Sequence, residues 1–223
     1  MKNKNILRQK KSKAVLLVII ILTMSSCVGI YADITMRPDG SGRITLEYRF
    51  SRMAEALGRL DGNERWHIIP SGRADLERTL ARIPGLRLVS FSSREDNRDI
   101  INRAELEFNN IETLLAFLDS SGRRASLSRE NGSRTLLLTV MDGTPVPVDA
   151  NLLDLLRQVS AGYELNFNFS AGANSTLALL DNNGNVITPA SAQIVPQGQR
   201  VSLKMETADV LKMKQGLTIV LTW

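Results

Sequence analysis

ADITMRPDGSGRITLEYRF, residues 32–50, decides how the mature chain folds. Ala32, Ile34 and Met36 alternate with Asp33, Thr35 and Arg37, and after the turn Ile44, Leu46, Tyr48 and Phe50 alternate with Arg43, Thr45, Glu47 and Arg49. Successive side chains of a strand point to opposite faces, so this period marks strands with one buried and one wet face. Asp39-Gly40-Ser41-Gly42 supplies turn chemistry between the two runs, which therefore form a hairpin. The first run begins almost at Cys27, the single cysteine of the chain, with no Gly/Ser-rich linker between.

Upstream of that cysteine the composition changes. Lys2, Lys4, Arg8, Lys10, Lys11 and Lys13 form a basic stretch without an acid, Ala14–Leu22 is unbroken apolar, and Thr23-Met24-Ser25-Ser26 leads to Cys27. This order is that of an export signal, to be set aside from the fold. Met24-Ser25-Ser26-Cys27 resembles the lipobox of bacterial lipoproteins. The resemblance implies removal of residues 1–26, acylation of Cys27 with chains such as palmitate, and Cys27 as the mature N-terminus. The alternative is an uncleaved anchor over Ala14–Ala32, since crossing a bilayer takes about 20 mostly apolar residues. Thr23, Ser25, Ser26 and Gly29 dilute the second half of that stretch. In either case the positive end stays in the cytoplasm and the domain lies outside. Val28 stands where an aspartate would resemble an inner-membrane retention signal, so the expected location is the outer membrane or cell surface.

The formal net charge of +5 belongs to the signal. Removing its six cations from 28 Lys+Arg leaves 22 against 23 Asp+Glu, so the mature chain carries about −1. A nucleic-acid binder would show a strong basic excess or stripe, and no nucleic-acid partner is expected. Nineteen of the remaining cations are Arg and three are Lys (Lys204, Lys212, Lys214), with most Arg before residue 135 alongside sixteen acids. Solvated Arg–carboxylate pairs are the plain reading of this mixture. Contact with phosphate headgroups is the sharper one, because the planar guanidinium fork binds phosphate in bidentate fashion. With its one cysteine committed to lipid, the mature chain forms no disulfide and rests on its core. At 43% hydrophobic residues a core of useful size is available.

Along the chain, Arg52–Leu60 is a short helical candidate, followed by a loop over Asp61–Gly72. Leu76, Leu80 and Ile83 mark one face of a helix that Pro84-Gly85 ends. Leu86–Ser93 is a strand, Arg94–Arg98 a polar turn, and Ile100, Ala104, Leu106 and Phe108 resume alternation. Asn109 or Asn110 caps a helix whose face is Ile111, Leu114, Leu115 and Leu118. Arg124–Glu130 and Arg134–Met141 flank Asn131-Gly132, the strongest short hairpin signal. Asp142–Val148, with Pro145 and Pro147, separates this part from a third helix carrying Leu152, Leu155, Leu156 and Val159. Strands then follow at Tyr163–Phe169, Thr176–Leu180, Val186–Ile187, Val201–Met205 and Leu217–Trp223, with a short helix over Thr207–Met213. The expected class is α+β: antiparallel sheets with three to five short helices, a ferredoxin-like N-terminal module and a β-rich C-terminal part. The expected units are a signal at 1–26, an α+β module at 27–141, and a helix plus β-rich module at 142–223, packed together.

Cys27 followed by Ala32-Asp33-Ile34-Thr35-Met36, then Asp39-Gly40-Ser41-Gly42 before a strand, resembles the LppM-like domain of bacterial lipoproteins. The Tyr163–Ser170 strand, Ala173-Asn174-Ser175 and Asp181-Asn182-Asn183-Gly184-Asn185 fit the same pattern. The resemblance implies a lipid-anchored α+β domain with affinity for lipid or glycolipid, and it carries over no site residues.

A search for chemistry returns little. With His67 as the one histidine and Cys27 committed to lipid, a zinc site of the usual N/S ligands cannot be assembled, and no metal or cofactor is expected. Asp181–Asn185 lacks the spacing of a calcium hand and suits a turn, where Asn and Gly tolerate positive φ. No serine lies in a G-x-S-x-G context, and neither G-x-x-x-x-G-K-[ST] nor G-x-G-x-x-G occurs. His67 beside Trp66 reads as a packed histidine rather than a catalytic base. Leu152-Leu153 with Leu155-Leu156 reads as a buried helix rather than a partner or acyl-chain surface, and Trp66-His67-Ile68-Ile69 as a plug on the core rather than an exposed binding loop. No catalytic residue is assigned and ligand-binding residues stay open. The expectation is a non-enzymatic, membrane-anchored envelope lipoprotein that binds a lipid, glycolipid or other amphiphile, or an envelope protein. The alternatives are a carboxylate-based envelope hydrolase, recognisable by two acids about 5–10 Å apart across a polar cleft, and a purely structural surface protein.

Overall fold

The computed structural model describes residues 28–52, 72–119, 121–130, 132–143, 158, 160–172 and 175–223. The hairpin read at 32–50 lies at its centre. β1 (Val28–Met36) and β2 (Gly42–Ser51) pair antiparallel without a register break, from Val28 opposite Phe50 to Met36 opposite Gly42. The turn between them is fixed by Arg37 N–H donating to the Ser41 carbonyl at 2.7 Å and Ser41 N–H donating to Asp39 Oδ1 at 2.9 Å. β4 (Asp99–Phe108) extends the sheet beside β2, and β3 (Leu86–Glu95) pairs with β4 across a register shift between Leu88 and Ser90. On the other flank β7 (Glu164–Ser170) runs parallel to β1, β10 (Arg200–Glu206) antiparallel to β7, and β9 (Gln193–Gln197) closes the edge. The order of this seven-stranded sheet is β3-β4-β2-β1-β7-β10-β9.

A second sheet has the order β5-β6-β11-β8, formed by Ala125–Glu130, Ser133–Met141, Leu217–Thr222 and Thr176–Leu180 respectively. Alternation buries one face of each sheet. Ile34, Ile44, Leu106 and Phe169 of the large sheet and Leu136, Leu179, Ile219 and Leu221 of the small one are at most 1% exposed and belong to one core. Burying each such side chain is worth roughly 1.5–3 kcal/mol. The Trp223 ring meets Phe169 edge-on at 5.0 Å, joining the end of the small sheet to the large one. On the outer face of the small sheet the hydroxyls of Thr135 and Thr222 lie 3.3 Å apart and those of Thr139 and Thr218 3.2 Å apart.

The balanced α+β class with a ferredoxin-like module is overturned. Among the described residues 55% lie in strands and 14% in helices. There the helices are α1 (Arg73–Leu80), α2 (Ile111–Leu118) and α3 (Thr207–Lys212), each eight residues or fewer. α1 buries Leu76 and Leu80, and α2 is capped by Asn110, whose side chain accepts the Thr113 N–H at 2.8 Å. Part of the ferredoxin-like order is present, since β4 lies between β3 and β2. The final strand of that pattern would have to pair on the free side of β2. That side is taken by β1, which a short turn delivers in full register at small loop-closure cost. β5 therefore joins the second sheet instead. Both sheets draw strands from before and after residues 144–157, through β1 with β7 and β6 with β11. The helix expected over Arg52–Leu60 falls, from residue 53 on, outside the described residues, as does most of that expected around Leu152–Val159.

Candidate functional site

The second face of the large sheet meets water around the β1–β2 turn and is buried at Asp99 and Ile101 towards the start of β1. Residues that alternate with the core line up across it. One row runs Arg87, Glu107, Arg43, Thr35, Ser170 and Arg200 through β3, β4, β2, β1, β7 and β10. The next row runs Glu105, Thr45, Asp33, Asn168 and Ser202. Where the two rows cross the central hairpin there is an open depression of about 260 Å³, lined by Asp33, Thr35, Arg37, Gly42, Arg43 and Thr45.

The charges around this depression are held in place. Arg200 Nη2 donates to Asp33 Oδ2 at 2.5 Å, and the Tyr31 hydroxyl donates to the same oxygen at 3.2 Å. Glu107 bridges two strands, accepting from Arg43 at 2.9 Å and also from Arg87. These bonds, Arg43 first, hold the Glu107 carboxyl below its ordinary range. At the rim, Asp39 is lowered chiefly by the Ser41 hydroxyl that donates to it at 2.7 Å, and Arg37 Nη1 donates to that hydroxyl oxygen at 3.1 Å. Guanidinium, hydroxyl and carboxylate groups therefore line a pre-ordered polar surface. A single carboxylate, Asp33, lines the hollow.

A second cluster lies at the opposite end of the same face. Asp99 and Tyr163 are 4% and 2% exposed, and the Tyr163 hydroxyl donates to Asp99 Oδ1 at 2.5 Å. Arg98 lies over the Tyr163 ring at 4.9 Å and donates to the Ala161 carbonyl at 2.6 Å. Burial, and then the bond to Asp99, pushes the Tyr163 phenol up to about 12. Asp96 Oδ1 accepts the main-chain N–H groups of Arg98 and Asp99 at 2.8 and 2.7 Å. Those two bonds, that of Asp99 first, lower its pKa.

Several residues singled out by sequence fall outside the described chain. Cys27 immediately precedes β1, while His67, Trp66–Ile69 and Leu152–Leu156 lie in segments the structure does not describe. Asp181–Asn185 is a turn: the buried Asp181 carboxylate accepts Asn183 N–H and Asn185 N–H, both at 2.9 Å, and the Asn185 side chain at 3.1 Å. Among the described residues no three His, Cys, Asp or Glu side chains are grouped to hold a metal. The depression was missed because its parts are ordinary strand residues whose rows exist only once the sheet is assembled. The Asp99–Tyr163 pair was missed because 64 residues separate its members. No protein-family model matches this chain, and no curated protein matches it.

Proposed function

We propose that this chain is an exported, non-enzymatic lipoprotein of the cell envelope, held to a membrane by acyl chains on Cys27 and binding through the polar face of its large sheet. One observation carries the reading: β1 begins at Val28, directly after Cys27, and is the middle strand of seven, paired on both sides. An uncleaved anchor over Ala14–Ala32 would take Val28–Ala32 out of this sheet. Sparing them leaves residues 14–27, well short of the about 20 apolar residues that a crossing needs. A lipidated cysteine needs no such length.

The depression refines the partner. Its lining is polar or charged apart from Gly42, which suits a headgroup, a glycan or a polar protein surface rather than an acyl chain. Hydrolysis by paired carboxylates lacks support here, because the one acid of the lining is engaged by Arg200 and Tyr31. Intact mass of the protein extracted from membranes tests the anchor. The expected product begins at Cys27 with added acyl mass, and Cys27→Ala accumulates as unprocessed precursor. A mature wild-type chain still starting at Met1 overturns the proposal.

A further inference from the structure

We propose that the end of the large sheet at which β1 begins docks on anionic phospholipid headgroups, with Arg49, Arg52, Arg94 and Arg98 as the phosphate-binding groups. This rests on the lipid anchor at Cys27. The registers set the height of each residue above that anchor. Gly29 lies opposite Arg49, Arg49 opposite Ile101, and Ile101 opposite Arg94, so one row across four strands contains two of the arginines. Gly29 is the second residue of β1, so that row lies about 3.4 Å, one strand rise, from the strand's first residue, Val28, which follows Cys27 in the chain. A charge there lies within about one Debye length, roughly 8 Å, of the headgroup plane. Arg52 and Arg98 flank the same end, where Arg52 N–H donates to the Arg98 carbonyl at 2.9 Å and Arg52 Nη1 donates to the Asp96 carbonyl at 3.3 Å.

The guanidinium groups at the two ends of the sheet differ in how they are engaged. At the far end Arg43 and Arg200 reach carboxylates at 2.9 and 2.5 Å. At the end near Cys27, Arg49 and Arg98 stand 4.0 and 3.8 Å from Asp99, beyond hydrogen-bond reach, with 41% and 59% of their side-chain surface exposed, and the bond that Arg98 does make is to a neutral group, the Ala161 carbonyl at 2.6 Å. The local acids are turned to other work. Asp99 accepts from buried Tyr163, Asp96 accepts two main-chain N–H groups, and Glu164 pairs with Lys204 at 2.9 Å. Glu95 and Glu206 remain exposed on the inward-alternating side of β3 and at the end of β10. Each guanidinium has five N–H donors in a planar fork, the geometry that phosphate oxygens accept in pairs. Docking this end turns the polar depression away from the membrane. Thr35 is six residues along β1 from Gly29, about 20 Å further out.

The test reconstitutes the full mature lipoprotein into vesicles of phosphatidylcholine alone or with phosphatidylglycerol, reading flotation and amide hydrogen exchange. Flotation on phosphatidylcholine reports the anchor independently of vesicle charge. Docking requires exchange over residues 94–99 to slow at least threefold when phosphatidylglycerol is present, and high salt to remove the effect. Arg52→Gln with Arg94→Gln should abolish the slowing, since each basic group near an anionic surface contributes about fivefold, while the Asp99–Tyr163 bond and the Arg49 and Arg98 pairs around it are left in place. Arg43→Gln with Arg87→Gln, at the far end, should leave it intact. Equal exchange on both vesicles with flotation retained overturns docking and leaves the anchor standing. Failure to float on phosphatidylcholine overturns the anchor and the docking that rests on it.

Discussion

Replacing Tyr163 with Phe removes one oxygen atom and tests the buried pair beneath Arg98. The Phe ring fills the same space and keeps a face for the guanidinium that now lies 4.9 Å from the ring centre. What is lost is the 2.5 Å bond to a carboxylate only 4% exposed. The nearest cations, at 3.8 and 4.0 Å, are too far to replace it without movement. A hydrogen bond to a charged group is worth about 1.5–3 kcal/mol, so destabilisation of about 2 kcal/mol is expected at neutral pH. At about 2–4 °C per kcal/mol for a chain of this size, the melting temperature should fall by about 4–8 °C. The pH dependence gives a sharper reading. The folded phenol is pushed up to about 12, by burial first and by Asp99 second, from an ordinary value of 10.0. A raised pKa means that the fold favours the protonated form. Its contribution is therefore complete below pH 10 and is lost as pH rises towards 12. Urea midpoints measured from pH 7 upward should show the gap between wild type and Tyr163→Phe constant to about pH 10 and closing above it. In an Asp99→Asn background the same substitution should cost less, because its acceptor is no longer charged. A gap that persists unchanged to pH 12, or an undiminished cost in the Asp99→Asn background, would refute the reasoning.

Two further substitutions test one hairpin in each sheet. Gly42 begins β2 at the floor of the depression, and a Cβ there would come closer than 3.0 Å to the Thr35 carbonyl oxygen and the Phe108 ring. Gly42→Ala should cost about 1–3 kcal/mol through overpacking, and less beside Phe108→Leu than the separate effects sum to; an unmoved denaturant midpoint would show that the hairpin packs otherwise. Gly132 has φ of +85° and open space around it, so Gly132→Val should cost roughly 1–2 kcal/mol from backbone strain alone. Thermal melts that coincide with wild type would argue against the tight turn between β5 and β6.

The sequence by itself determined which face of the central strands is buried. Ile34, Ile44 and Leu106 could be placed in the core, and Asp33, Arg43 and Glu107 in water, because the strand period of two assigns a face from local order alone. Turn chemistry likewise located the hairpins at Asp39–Gly42 and Asn131-Gly132 and narrowed the helix cap to Asn109 or Asn110, of which the fold uses Asn110. β9 escaped notice because Gln193–Gln197 is exposed throughout and contains Pro196, so neither burial nor propensity marks it as a strand. The balance of helix to sheet was misjudged because the clearest helical faces belong to helices of only two turns, α1 and α2. Tertiary structure alone decided which strands lie side by side. The parallel pairing of β1 with β7, the departure of β5 to a second sheet and the meeting of Asp99 with Tyr163 are long-range choices. A strand's apolar face fits many partners equally well, and only competition among all edges for hydrogen bonds and core space selects one arrangement. The rows of Arg, Asp and Thr at one end of the large sheet and the arginines at the other come from that selection. Each row collects single residues from distant strands, so no local pattern in the chain could have announced them.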